Sequence, residues 1–174
     1  MTALKRGFTL IELLIVMAIL GVLAVVVLVA INPAEQLRRA RDSGRISGTQ
    51  QIGRAISAYF TANGCIPGVV GAATCPATTA WDDDLTLSEE LQTIPALIDP
   101  AGACTPGSDV NGWCYGNDGT ENFVVYAELE SEQRIRSCGA AATTAFSVFS
   151  SVDARGGVSA TEPTAGTAVT FCGP

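Results

Sequence analysis

Histidine is absent from this 174-residue chain, and lysine occurs once, at Lys5. Without imidazole there is no Ser-His-Asp or Cys-His triad, no histidine acid–base step and no histidine-ligated zinc. No G-x-x-x-x-G-K-[ST] loop is present, so the chain carries no phosphate-loop nucleotide chemistry. Aromatics make up only 6% and charged residues only 16%, yet 48% of the chain is apolar. That balance excludes a disordered chain, which is poor in apolar residues and rich in charge. The net charge is −7, with a pI of about 4.4. A chain so acidic lacks the cations that neutralise phosphates, so general nucleic-acid binding is not expected of the isolated subunit. No carboxylate pair can be given acid and base roles, no catalytic centre is legible, and a non-enzymatic chain is expected.

Three unlike parts lie behind the averages. Residues 1–7, MTALKRG, are short and basic. Residues 8–31 are almost wholly apolar, with Glu12 the sole charge. The remainder is mixed, and from residue 65 onward fourteen Asp/Glu face three arginines, Arg134, Arg136 and Arg155. The run Phe8–Ile31 as a helix would measure about 36 Å, enough to cross a hydrocarbon core of about 30 Å. Lys5 and Arg6 before it favour an N-terminus in the cytoplasm and a C-terminus outside. A removable secretory signal is the plainer alternative. The run exceeds the usual apolar region of about 7–15 residues, and no small-x-small cleavage site follows it. An anchoring helix is therefore expected.

Glu12 needs an explanation. A charge at the centre of a membrane helix costs about 2.5–3.5 kcal/mol, less nearer the interface. It either snorkels to the headgroups or has a specific cationic partner. The stretch Lys5-Arg6-Gly7-Phe8-Thr9-Leu10-Ile11-Glu12-Leu13-Leu14 resembles the start of a type IV prepilin. The resemblance implies cleavage between Gly7 and Phe8 by a prepilin peptidase that also N-methylates Phe8. It further implies that Glu12 meets the new amine of a neighbouring copy's Phe8 and sets the axial register. A lone carboxylate in low dielectric is costly, and a paired one much less so. In such filaments the helix melts over a stretch after a glycine. By resemblance that stretch lies here between Gly21 and Pro33.

Pro33 can open a second helical stretch with Asn32 as its N-cap. Residues 34–64 read as helix to about Ala62, with Ile52, Ala55, Ile56, Tyr59 and Phe60 on one face and Asn63-Gly64 as the stop. Arg38, Arg39, Arg41, Arg45 and Arg54 cluster here. They suit emergence into water, either pairing with the acidic heads of neighbours or forming a solvated face. Gly44, Gly48 and Gly53 mark close packing or a supple stalk.

Residues 65–174 form the expected head. Cys65, Cys75, Cys104, Cys114, Cys138 and Cys172 all fall on the outer side, where disulfides persist and zinc clusters are disfavoured. Many pairings are open to six cysteines. Two share a C-x9-C spacing, so local closures 65–75, 104–114 and 138–172 are expected. Trp113–Tyr115 and Phe123–Leu129 read as strands flanking a turn at Gly116–Gly119. Phe146–Val152 is a third strand, Asp153–Gly157 a turn, and Ala168–Cys172 the last strand. Ala140–Thr144 and Thr161–Thr167 read as surface loops. Asp82-Asp83-Asp84 and the group Asp109, Asn111, Asn117 and Asp118 invite a calcium reading. Neither has EF-hand spacing, so solvated acid turns are preferred and no cofactor is expected.

The expected fold is α+β: a long N-terminal helix, half transmembrane and half amphipathic, packed on a small, disulfide-stapled antiparallel sheet. The expected segments are a leader at 1–7, a polymerisation helix at 8–31, a stalk at 32–64 and a head at 65–174. The resemblance implies a single-pass inner-membrane precursor that polymerises with itself into a surface filament for adhesion, twitching motility or DNA uptake. It further implies an assembly platform and an assembly ATPase as separate partners. A type II secretion pseudopilin, building a short periplasmic pseudopilus, is the alternative.

Overall fold

The computed structural model describes residues 7–69, 80–96, 104 and 108–173. The chain divides into two compact units, Met1–Leu37 and Arg38–Pro174. The first contains the helix α1, Leu10–Ile31, which has no buried residue. Asn32 ends it in the left-handed backbone region at φ 46°. The next helix, α2, runs Pro33–Asn63. Proline suits its first turn because the missing N–H needs no partner there. Glu35 N–H donates to the Asn32 carbonyl at 3.1 Å.

In the second unit, α2 supplies the spine from Arg38 onward. Ile52, Ala55, Ile56 and Tyr59 are buried, with Phe60 half-buried beside them. Full burial of an isoleucine contributes about 1.5–3 kcal/mol. Gly48 and Gly53 are close-packing positions. A Cβ at Gly48 would enter the Trp113 ring, and one at Gly53 the Phe149 ring. Gly44 is exposed.

The sheet is a five-stranded antiparallel meander in chain order: β1 Ser108–Val110, β2 Trp113–Asn117, β3 Phe123–Glu128, β4 Phe146–Ser150 and β5 Arg155–Ser159. Cys114 pairs with Tyr126, Val125 with Phe149, and Ser147 with Val158. Period-two alternation sends Trp113, Tyr115, Phe123, Val125, Ala127 and Phe149 towards the α2 core. Cys114, Val124, Tyr126 and Val148 face the other way and are covered by Cys104, Ala165, Val169 and Phe171. β3 is thus buried on both faces, which explains its unbroken FVVYA run.

Several local expectations are corrected. β2 continues through Gly116 and Asn117, so the turn lies at 118–122. There the Asp118 carboxylate accepts hydrogen bonds from Thr120 N–H and O–H and from Asn122 N–H and Nδ2. Those bonds, from the side chains of Asn122 and Thr120 above all, hold its carboxyl well below the usual range. The turn after β4 is Ser151–Ala154, with Ala154 at φ 51°, and Arg155-Gly156-Gly157 are strand. These two glycines serve close approach: Gln50 lies against Gly156 and Phe171 against Gly157. The final segment makes a single bridge, Ser159–Phe171, in place of a full strand at Ala168–Cys172. Asp153 ties that segment down by accepting from Val169 N–H at 2.9 Å.

Two short helices were not anticipated, α3 at Trp81–Leu87 and α4 at Glu132–Ser137. Asp82, Asp83 and Asp84 form the first turn of α3, where carboxylates face exposed N–H groups favourably. Asp84 is buried and accepts from Gly68 N–H at 2.8 Å, so it is a structural group and not a solvated turn. Trp81 stacks on Tyr115, ring centroids 5.2 Å apart. Tyr115 O–H donates to the Pro67 carbonyl at 2.8 Å.

The stalk arginines divide. Arg38, Arg39 and Arg54 are exposed. Arg45 is 1% exposed. It pairs with Asp42 and Glu130, while Arg41 binds the other Glu130 oxygen at 2.5 Å. Asp42 also accepts from the N–H groups of Glu130 and Ser131 at 2.9 and 2.8 Å. This cluster joins α2 to the β3–α4 junction, so Arg41 and Arg45 serve their own head. Burial of Glu130 opposes its charged form, but the hydrogen bonds and charges of Arg41 and Arg45 outweigh it. Its carboxyl is held below the ordinary glutamate value.

Candidate assembly site

The features singled out for assembly all lie in the first unit. Gly7 and Phe8 precede α1, and Phe8 is 86% exposed. Thr9, in extended backbone at φ −81° and ψ 151°, is the N-cap. Its Oγ1 accepts from Glu12 N–H at 3.3 Å. Glu12 Oε2 returns the favour, accepting from Thr9 N–H at 2.9 Å and from Thr9 Oγ1 at 2.7 Å. This is a reciprocal capping box, which satisfies donors that a helix start leaves orphaned. The spacing Thr9-x-x-Glu12 was a legible signal for it, and Thr9 is the site residue that sequence reasoning passed over.

Both bonds fall on one carboxylate oxygen, and among the described residues Oε1 takes no hydrogen bond. Glu12 therefore sits one turn from Phe8, anchored but with acceptor capacity to spare. From Leu10 to Ile31 the side chains form an apolar surface on every side, and the large ones are at least half exposed. α1 is long and apolar enough to cross a membrane. Gly21 lies inside the continuous helix with open space where a Cβ would sit, while Pro33 stands just beyond the break at Asn32.

The disulfides lie in the second unit, where Cys104 is bonded to Cys114 and Cys138 to Cys172. Cys65 is also disulfide-bonded, and Cys75 lies outside the described residues. Among the described residues no three His, Cys, Asp or Glu side chains converge as a metal ion would require. Asp109 lies in β1, Asn111 in the following turn at φ 53°, and Asn117 and Asp118 at the far end of β2.

The family of the prokaryotic N-terminal methylation motif matches residues 3–28. A type IV major pilin protein, PilE1, of Neisseria gonorrhoeae is 30% identical over 132 residues, 76% of this chain and 47% of that protein. The chain thus carries the prokaryotic N-terminal methylation motif and is similar to a type IV major pilin. This pilin-like chain spans about half the length of the curated relative it matches. No solved structure gives a significant match. The helix-plus-meander architecture agrees with the α+β, pilin-like fold that the motif implies.

Proposed function

We propose that this pilin-like chain is the structural subunit of a type IV pilus, polymerised through α1. The observation that supports this best is a 22-residue apolar helix with no buried residue, carrying one carboxylate at its N-terminal end. Such a surface is stable only in lipid or against other apolar helices. Before assembly the chain is a single-pass inner-membrane precursor with its head outside. Prepilin peptidase cuts between Gly7 and Phe8 and methylates Phe8. The new Phe8 amine then lies one helical turn from Glu12. In a bundle of α1 helices, the open side of Glu12 takes the amine of a neighbouring copy. A copy in the wrong register would bury an unpaired carboxylate, a cost of several kcal/mol. Residues between Gly21 and Pro33 are the segment that gives way on assembly, and the assembly platform and ATPase are separate proteins.

N-terminal mass spectrometry of the native protein tests the processing, and electron microscopy of Glu12→Gln cells tests the register. The expected results are a chain starting at methylated Phe8, long surface filaments in the parent strain, and filament yield reduced at least about tenfold in the variant. Surface-exposed protein that retains Met1, or full filament yield in Glu12→Gln, would overturn the proposal.

A further inference from the structure

A cavity of about 370 Å³ opens in the head between the last turns of α2, the 118–122 loop and the 151–154 turn. Ser57, Phe60, Thr61, Glu121, Asn122 and Phe149 are among its lining residues, and no lysine or arginine lines it. Several of the hydrogen-bond donors around it are already committed. Ser57 O–H donates to the Gly53 carbonyl at 2.9 Å, and Thr61 O–H to the Ser57 carbonyl at 2.8 Å. The N–H groups of Asn122, Phe123, Ser151 and Ala154 are likewise bonded within the head. Among the described residues that line it, Glu121 is the charged one, and the side-chain oxygens of Ser57, Thr61 and Asn122 add acceptor capacity. Glu121 has no hydrogen bond or ion pair among the described residues.

Two further features have the same sign. The cavity lies beside the C-terminal turn of a 31-residue helix, which carries the negative end of the macrodipole and has no basic residue in its last turn. Phe60 is half exposed there, and an aromatic face attracts cations. The loop that carries Glu121 is pre-organised, because Asp118 holds Thr120 and Asn122 in place. The excess of carboxylates beyond residue 65 adds a long-range attraction.

We infer that this cavity is a binding site for an organic cation, an alkylammonium or guanidinium group, with Glu121 as its counter-ion and Phe60 as its aromatic contact. A dissolved amine and a basic side chain of another protein present the same group. The site is independent of how α1 assembles.

The test is isothermal titration of the full chain in non-ionic detergent micelles with agmatine and, separately, with the tripeptide Gly-Arg-Gly. Saturable one-to-one binding is expected, and the probe that saturates at the lower concentration identifies the source. Glu121→Gln should weaken it by about tenfold or more. Phe60→Leu should weaken it by about threefold. Glu128→Gln, an exposed carboxylate outside the cavity, should leave it unchanged. Far-ultraviolet circular dichroism confirms that each variant is folded. If neither probe binds, if Glu121→Gln binds equally well, or if uncharged 1-butanol competes as effectively as agmatine, the inference is overturned.

Discussion

The helix Leu10–Ile31 and the helical stretch Arg38–Asn63 lie close in the chain, and their side chains meet opposite fates. In the first, the apolar residues are bare and the lone carboxylate is held through one oxygen by its own N-cap. In the second, isoleucines and a tyrosine are buried, and so is an arginine, whose partners include a residue 85 positions away. Apolar character therefore does not say where the core is. Burial requires a facing surface, and among the described residues the second stretch has one in its own unit while the first buries no residue. The first carries its unmet apolar area into whatever medium or neighbour receives it.

This contrast can be broken most severely at Arg45. Arg45→Ala removes the buried guanidinium that Asp42 and Glu130 share, leaving Asp42 its two N–H donors and Glu130 its contact with Arg41, and should cost about 3–5 kcal/mol, read as a lowered urea midpoint of the full chain in detergent micelles. An apolar truncation in each region sharpens the comparison. Ile56→Ala should cost about 2–5 kcal/mol, whereas Val16→Ala should move the head's midpoint by less than about 0.5 kcal/mol. Comparable losses from both would dissolve the distinction. Removing the Cys138–Cys172 closure with a double serine variant should cost about 2–4 kcal/mol. Hydrogen exchange should then rise at Val169 and Cys172, whose N–H groups bond to Asp153 and the Val158 carbonyl.

The smallest effect is a change in pH dependence. The folded-state pKa of Glu130 lies below its unfolded value. Its stabilisation is therefore complete above the unfolded value and disappears as pH falls through the folded one. Glu130→Gln should flatten, without abolishing, the acid limb of the stability profile, because Asp118 and Asp153 are depressed as well. An unchanged acid limb would show that the Arg41–Glu130–Arg45 contacts do not persist in solution.

Much of this was legible in local pattern. The apolar run, its stop near Pro33, the apolar face of α2 and the Asn63-Gly64 end all follow from spacing and from residues with narrow backbone preferences. The strands containing Trp113, Phe123 and Phe146 also announced themselves. The misplacements arose where glycine and aspartate carry two meanings. Gly156 and Gly157 read as a turn, but they are small because Gln50 and Phe171 lie against them. Asp84 read as a solvated acid, but Gly68 and α3 enclose it. At the assembly end, Glu12 was conspicuous as a charge, while its dependence on Thr9 was equally available in the capping spacing and was overlooked.

The order of the chain alone determined that a membrane-length apolar helix with one carboxylate precedes an acidic, cysteine-bearing head, because hydropathy and charge are additive along a sequence. Tertiary structure decided that Arg45 would be buried, that β3 would be covered on both faces, and that a cavity would form beside Glu121. Each of these depends on groups far apart in the chain meeting in space. Whether a polar group is costly or stabilising is settled only by what stands opposite it.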